Sequence, residues 1–99
     1  MNQTTLIERL LLLTHAIEDA AALANWPEAA RLTEERSPLL TALTADQEPA
    51  ALEMIRKIQA IDAAVLANAQ TTQVELQTEY RAAMTRAEAA GLYQQVAQF

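Results

Sequence analysis

The sequence predicts an all-α fold, an antiparallel three-helix bundle with a long third helix and a short C-terminal helical tail. The chain has 99 residues but only one glycine and three prolines, which nearly excludes tight hairpins and glycine-rich phosphate loops. Alanine, leucine, glutamine and glutamate dominate, and all four are strong helix formers. Apolar residues recur at alternating spacings of three and four, the period of an amphipathic helix. The length allows a single domain, residues 1–99.

Helix 1 is predicted over about residues 5–24. Thr5 and Glu8 have the spacing of a capping box, which marks a helix start. Pro27 has no N–H to continue the helix but fits the first turn of the next one. Because that joint is short, helices 1 and 2 should be antiparallel. The apolar stripe of helix 1 consists of Leu6, Leu10, Leu13, Ile17, Ala20 and Ala24.

Helix 2 is predicted over about residues 27–43. Pro38 lies inside it, and an interior proline removes a helical hydrogen bond, so a kink near Arg36 or a break is expected. Arg36 is the only polar member of the apolar stripe, and a structural ion pair with a carboxylate such as Asp62 is the favoured interpretation. Trp26 at the joint is either a partner-binding anchor or, as favoured here, a residue that packs over the end of the bundle. The stripe consists of Ala29, Leu32, Arg36, Leu39 and Leu43.

Helix 3 is predicted over about residues 48–90. Asp46 is the expected N-cap and Pro49 is expected in the first turn. No further proline or glycine occurs before Gly91, so the helix is expected to end there. Residues 91–99 then form the short C-terminal tail. Helices 1 and 2 are too short to cover the whole of such a helix, so its second half needs another partner.

The second half of helix 3 carries a thinner apolar stripe than the first half. Its exposed residues can be covered by the tail folding back, by self-association into a homodimer, or by an amphipathic helix of a partner. All three arrangements would bury the same apolar side chains. The stripe follows Leu66, Ala69, Gln73, Leu76, Tyr80, Ala83 and Ala87, and the residues most expected to bind are Leu76, Tyr80, Met84, Leu92, Tyr93 and Phe99.

Composition disfavours catalysis, metal binding and nucleic-acid binding. The chain has no cysteine and a net charge of -6, and phosphate backbones are bound by clustered Lys and Arg. His15 and Glu18 are candidates for a metal-binding pair or an acid–base dyad. However, the histidine precedes the glutamate, which is the reverse of the order in di-iron bundles. The only serine, Ser37, precedes a proline and has no evident base. We therefore expect a cytoplasmic, non-enzymatic protein without a cofactor, metal site or membrane span.

The chain resembles the flagellar protein FliT family in three places. From Trp26 to Leu43 the pattern is Trp-x5-Leu-x2-Glu-Arg-x2-Leu-Leu-x2-Leu, after a first amphipathic helix. The run Ile55-x2-Ile58-x2-Ile61-Asp62 follows, and helix 3 ends near Gly91-Leu92-Tyr93. The tryptophan at the joint and the arginine within the stripe are the most informative parts, since leucines at helical spacing are common.

The resemblance implies an export chaperone of the bacterial flagellum. It would hold the C-terminal helical region of the filament cap protein, contact the export ATPase complex and, as in some bacteria, restrain the flagellar master transcription activator. A fourth helix can fold over the client groove in the family, whereas only a stub follows Gly91 here, and Pro38 is a second departure. The client would lie along helices 2 and 3, on Leu39, Leu43, Leu66, Leu76, Tyr80, Met84, Leu92, Tyr93 and Phe99.

Two other functions compete with this expectation. A structural coiled-coil protein would dimerise through the stripe of helix 3, although the sequence lacks the charge pairs that usually fix such dimers. A small helical enzyme or metal protein would depend on His15, and a metal titration would reveal it.

Overall fold

The computed structural model describes the backbone of residues 2–97 and the side chains of residues 2–87. Three helices account for most of it: α1 (Gln3–Ala22), α2 (Trp26–Thr41) and α3 (Pro49–Ala97). The described backbone contains no strand, so the predicted all-α bundle with a long third helix is confirmed. Contacts divide the chain into two units, residues 1–68 and residues 69–99.

α1 begins before the predicted capping box. Its N-cap is Asn2, whose Oδ1 accepts a hydrogen bond from the backbone N–H of Thr5 at 2.8 Å. Thr5 therefore lies inside the helix, and the prediction that it caps the helix is wrong. Asparagine is among the best N-cap residues, so the earlier residue takes the position.

α1 ends at Ala22, two residues before the predicted end, in a turn that closes without glycine. Ala24 has a φ of 55°, and its N–H donates to Ala21 O at 3.0 Å. The N–H of Asn25 donates to Ala20 O at 2.8 Å. This pair of bonds is a Schellman motif, in which glycine usually occupies the left-handed position.

α2 runs without a break through Pro38. Residues on both sides of Pro38 are helical, so the predicted alternative of a broken helix is wrong. The N-cap is Asn25, whose Oδ1 accepts from Glu28 N at 3.4 Å, and Pro27 lies in the first turn. Near the other end, Thr41 Oγ1 donates to Pro38 O at 2.8 Å.

The connection between α2 and α3 is fixed to the start of α1 by a glutamine. Gln3 Oε1 accepts from Gln47 Nε2 at 2.8 Å and from Thr44 N at 3.2 Å. Glu48 O accepts from Leu52 N at 3.0 Å, which places Glu48 at the flanking position of α3. The predicted cap at Asp46 is therefore wrong.

α3 does not stop at Gly91. The helix continues to Ala97, and no glycine in the described backbone has a positive φ. An isolated glycine costs a helix only about 1 kcal/mol and keeps its N–H donor. With no proline after it, Gly91 alone does not end the helix.

The core of residues 1–68 consists of two apolar clusters, both built mainly by α1. The first cluster joins α1 to α2, and Trp26 and Val65 pack against it. The second joins α1 to Ile58, which is 4% exposed, and Leu39 and Leu43 pack against it. The buried members are Leu13, Ile17, Ala20, Ala29 and Leu32 in the first cluster and Leu6, Leu10 and Ile58 in the second.

Candidate functional site

A buried guanidinium joins all three helices. Nη1 of Arg36 donates to Oδ1 of Asp62 at 2.7 Å and to Oγ1 of Thr14 at 3.0 Å. Thr14 is fully buried, and its hydroxyl donates to Leu10 O at 2.7 Å. Arg36 is also buried, and its Nε has no hydrogen-bond partner among the described residues. Asp62 keeps 38% of its side chain exposed, so the ion pair reaches solvent on one side only.

Three of the residues singled out from the sequence pack within the bundle. Trp26 is half-buried against the first cluster, and in the part of the chain that the structure describes its Nε1 has no hydrogen-bond partner. Leu39 is half-buried and packs against both clusters, and Leu43 packs against the second. The two leucines therefore contribute to the core of the bundle, which leaves them little surface for a client.

The remaining candidate side chains that the structure describes are exposed. Leu76 is 59% exposed, Tyr80 67% and Met84 43%. Leu66 is 59% exposed and belongs to the other unit, residues 1–68. The side chains of Leu92, Tyr93 and Phe99 lie outside the described residues.

Five exposed apolar residues of the second unit share one face of α3. At about 100° per residue, they fall within an arc of roughly 100°, whereas the exposed Val74 lies on the opposite face. All five are exposed to solvent. We call this face the C-terminal stripe; its members are Leu76, Tyr80, Ala83, Met84 and Ala87.

Charged side chains flank the C-terminal stripe without ion pairs among the described residues. Glu75, Glu79, Arg81 and Arg86 all lie on this part of α3 and are exposed. In contrast, Arg31 in α2 lies 2.6 Å from Glu28 and 3.2 Å from Glu35. These charges were not singled out from the sequence, because the absence of ion pairs with the other described residues is visible only in the structure.

The only histidine in the sequence lies beside a glutamate of α1. Nδ1 of His15 lies 3.3 Å from Oε1 of Glu18, and no group of three His, Cys, Asp or Glu side chains there could hold a metal ion. A cavity of about 160 Å³ lies beside Glu18, Val65 and Asn68. Typical small-molecule sites measure roughly 300–1,000 Å³, and alanines line much of the remaining wall.

Within the described part of the chain, none of the helices combines the length and the apolar character needed to cross a membrane.

Comparison with known proteins identifies a family. The model of the family described as "Flagellar protein FliT" matches residues 4–95, which include α2 and nearly all of α1 and α3. Comparisons with curated proteins and with solved structures gave no match. Since the family model covers more than nine-tenths of the sequence, the chain belongs to the flagellar protein FliT family.

Proposed function

We propose that this chain is an export chaperone of the bacterial flagellum and that it binds a helical segment of the filament cap protein. The main observation in support of this proposal is that a member of the FliT family exposes the C-terminal stripe on a long helix. The protein would act by binding alone, in the cytoplasm, without a cofactor.

The C-terminal stripe suits an amphipathic helix as its ligand. Leu76, Tyr80 and Met84 are spaced four apart, so they form one row along the helix. Peptide helices bind such surfaces through anchors at i, i+3, i+4 and i+7. A chaperone must cover the apolar stripe of its client until export, and an apolar row on a long helix provides matching surface.

Co-purification with the C-terminal region of the filament cap protein tests this function. We expect the wild type to retain this region, and Leu76→Asp and Tyr80→Asp to weaken binding at least tenfold. Burial of a large apolar side chain is worth about 1.5–3 kcal/mol, and a charge in its place adds a desolvation cost.

Thr78→Asp is the matched control. Thr78 is exposed on the same stretch of α3 but lies outside the C-terminal stripe. The variant therefore adds the same negative charge without changing the apolar row. Binding that is unchanged in Leu76→Asp and Tyr80→Asp would overturn the stripe as the client site. Failure of the wild type to bind would overturn the function itself.

Family membership also supports two further partners, the export ATPase complex and the flagellar master transcription activator. The net charge of -6 favours protein partners over direct contact with nucleic acid. Pull-down with each purified partner, at low and at raised salt, tests these two interactions separately from client binding.

A further inference from the structure

We infer that the outer face of α1 binds a basic amphipathic helix of a protein partner, at a site separate from the C-terminal stripe. Four residues define this surface, which we call the α1 outer face: Glu8, Leu12, Asp19 and Leu23. All four are exposed, and all four lie in residues 1–68. The inference does not depend on the proposed client.

Two large apolar side chains of the α1 outer face point to solvent. Leu12 is 69% exposed and Leu23 is 82% exposed. Leu23 is the C-cap of α1, and its N–H still donates to Asp19 O at 3.2 Å, so it continues the helical path. Eleven residues make about three turns, so the two leucines differ by only about 20° in direction and lie about 16 Å apart along the axis. One exposed leucine is ordinary, but two in a row form a surface that a partner helix can cover.

An acidic residue precedes each of these leucines by four positions. Glu8 precedes Leu12, and Asp19 precedes Leu23, so each acid lies beside its leucine on the helix surface. Neither acid has an ion pair with the other described residues. Arg9, the only lysine or arginine of α1, contacts Glu35 of α2 at 3.9 Å. The α1 outer face therefore combines an apolar row with a parallel row of negative charge.

This combination requires a ligand that carries cations beside its apolar residues. Residues 88–99 contain no lysine or arginine, so this chain's own C-terminal segment cannot supply them. A second copy that used the same face would bring the acids against each other, because a twofold contact is self-complementary, and facing like charges are costly. The fitting occupant is a helix of another protein, with two apolar residues about three turns apart and lysine or arginine beside each.

A designed peptide tests this chemistry directly. The probe is an alanine- and glutamine-based helical peptide of about 18 residues, with two leucines eleven residues apart. A lysine precedes and a lysine follows each leucine by three positions, so that cations meet the acids whichever way the helix runs. Isothermal titration calorimetry with the full chain should give a dissociation constant of roughly 10–100 μM. The same peptide with glutamate in place of each lysine should not bind.

Substitutions on the α1 outer face separate the apolar row from the acidic row. Leu12→Ser/Leu23→Ser keeps every charge and should weaken peptide binding at least about tenfold, because it removes the apolar contacts. Glu8→Lys and Asp19→Lys should each weaken binding about fivefold, because each replaces an attraction with a repulsion. Circular dichroism checks that every variant keeps its helices.

Glu34→Lys is the matched control for the charge reversals. Glu34 is exposed on α2 and has no ion pair with the other described residues. The variant changes the net charge by the same amount as Glu8→Lys, and it should leave peptide binding unchanged. Equal weakening by the two variants would show that the peptide responds only to net charge, and the inference would be overturned.

NMR locates the bound peptide on the chain. We expect amide chemical-shift changes along the α1 outer face and unchanged affinity in Leu76→Asp. Shift changes confined to residues 69–87, or weakened binding in Leu76→Asp, would place the peptide on the C-terminal stripe and overturn the inference. A wild type that binds neither peptide would also overturn it.

Two further measurements on Leu12→Ser/Leu23→Ser separate this site from other occupants. The variant should still co-purify with the cap-protein region, so failure of this inference is distinct from failure of the chaperone function. Its sedimentation velocity should match that of the wild type at every concentration. Weaker self-association of the variant would assign the α1 outer face to a second copy of the chain instead of a basic partner helix.

Discussion

The turn that closes α1 places an alanine where a left-handed backbone is required. Ala24 has a φ of 55°, and this region costs a residue with a Cβ about 1–2 kcal/mol. We expect Ala24→Gly to stabilise the chain by about 1 kcal/mol, since glycine adopts positive φ without that cost. Urea unfolding followed by circular dichroism measures the change.

Ala30→Gly provides the control for this substitution. Ala30 is exposed inside α2, where glycine should destabilise by about 1 kcal/mol. If both variants lost the same amount of stability, the left-handed turn at Ala24 would be contradicted.

A second prediction at the scale of single residues concerns the ion pair between Arg36 and Asp62. Asp62→Ala leaves the buried guanidinium without its carboxylate, and loss of one partner of a buried pair costs about 3–5 kcal/mol. Because Asp62 is 38% exposed, water offsets part of this loss, and we expect about 1–2 kcal/mol. Urea unfolding of the variant measures this loss of stability.

Arg36→Met separates the charge from the packing at the same site. Methionine keeps an unbranched apolar stem and removes the buried charge, and apolar replacement of buried ion pairs is often neutral. Arg36→Met should therefore cost less than Asp62→Ala. A larger loss for Arg36→Met, or no loss for Asp62→Ala, would contradict the structural role of the pair.

At the scale of the element, Glu28 in the first turn of α2 forms an ion pair with Arg31 that depends on pH. Nη2 and Nε of Arg31 donate to the carboxylate of Glu28 at 2.6 and 2.9 Å. These hydrogen bonds, aided by the positive charge, lower the pKa of Glu28 below its ordinary value. Since the folded pKa lies below the unfolded one, the stabilisation is present above the unfolded pKa and is lost as pH falls through the folded pKa.

Arg31→Gln should raise the pKa of Glu28 towards its ordinary value. NMR titration of the Glu28 carboxyl carbon measures this pKa directly. Arg9→Gln is the control, because Arg9 contacts Glu35 at 3.9 Å and should leave Glu28 unchanged. An equal shift in both variants would contradict the local cause.

The periodicity of apolar residues was sufficient to predict three helices and their order, but it did not determine where they end. The α1 cap at Asn2 competes with a good alternative at Thr5, and only the observed hydrogen bond decides between them. Gly91 satisfies the pattern of a helix stop but lies within α3. Local signals give a preference of about 1 kcal/mol, which is too small to fix an end against its context.

Part of the candidate site was also predictable. Leu76, Tyr80 and Met84 were expected to be available, and they are exposed. Leu39 and Leu43 have the same helical spacing but pack against the core, because spacing identifies an apolar face without showing what covers it. The charges beside the stripe form no ion pair with the other described residues, and helical spacing alone does not predict this.

At the scale of the whole molecule, we expect stability and client binding to depend on different units. The two core clusters and the Arg36–Asp62 ion pair lie in residues 1–68, whereas the C-terminal stripe lies in residues 69–99. Leu76→Asp should therefore weaken client binding but change the free energy of unfolding by less than about 1 kcal/mol, because it replaces an exposed helical residue. Asp62→Ala should lower the free energy of unfolding but leave client binding unchanged under conditions in which the variant is folded. Urea unfolding and co-purification of both variants measure the two effects. Weakened client binding in the folded Asp62→Ala variant would contradict this separation.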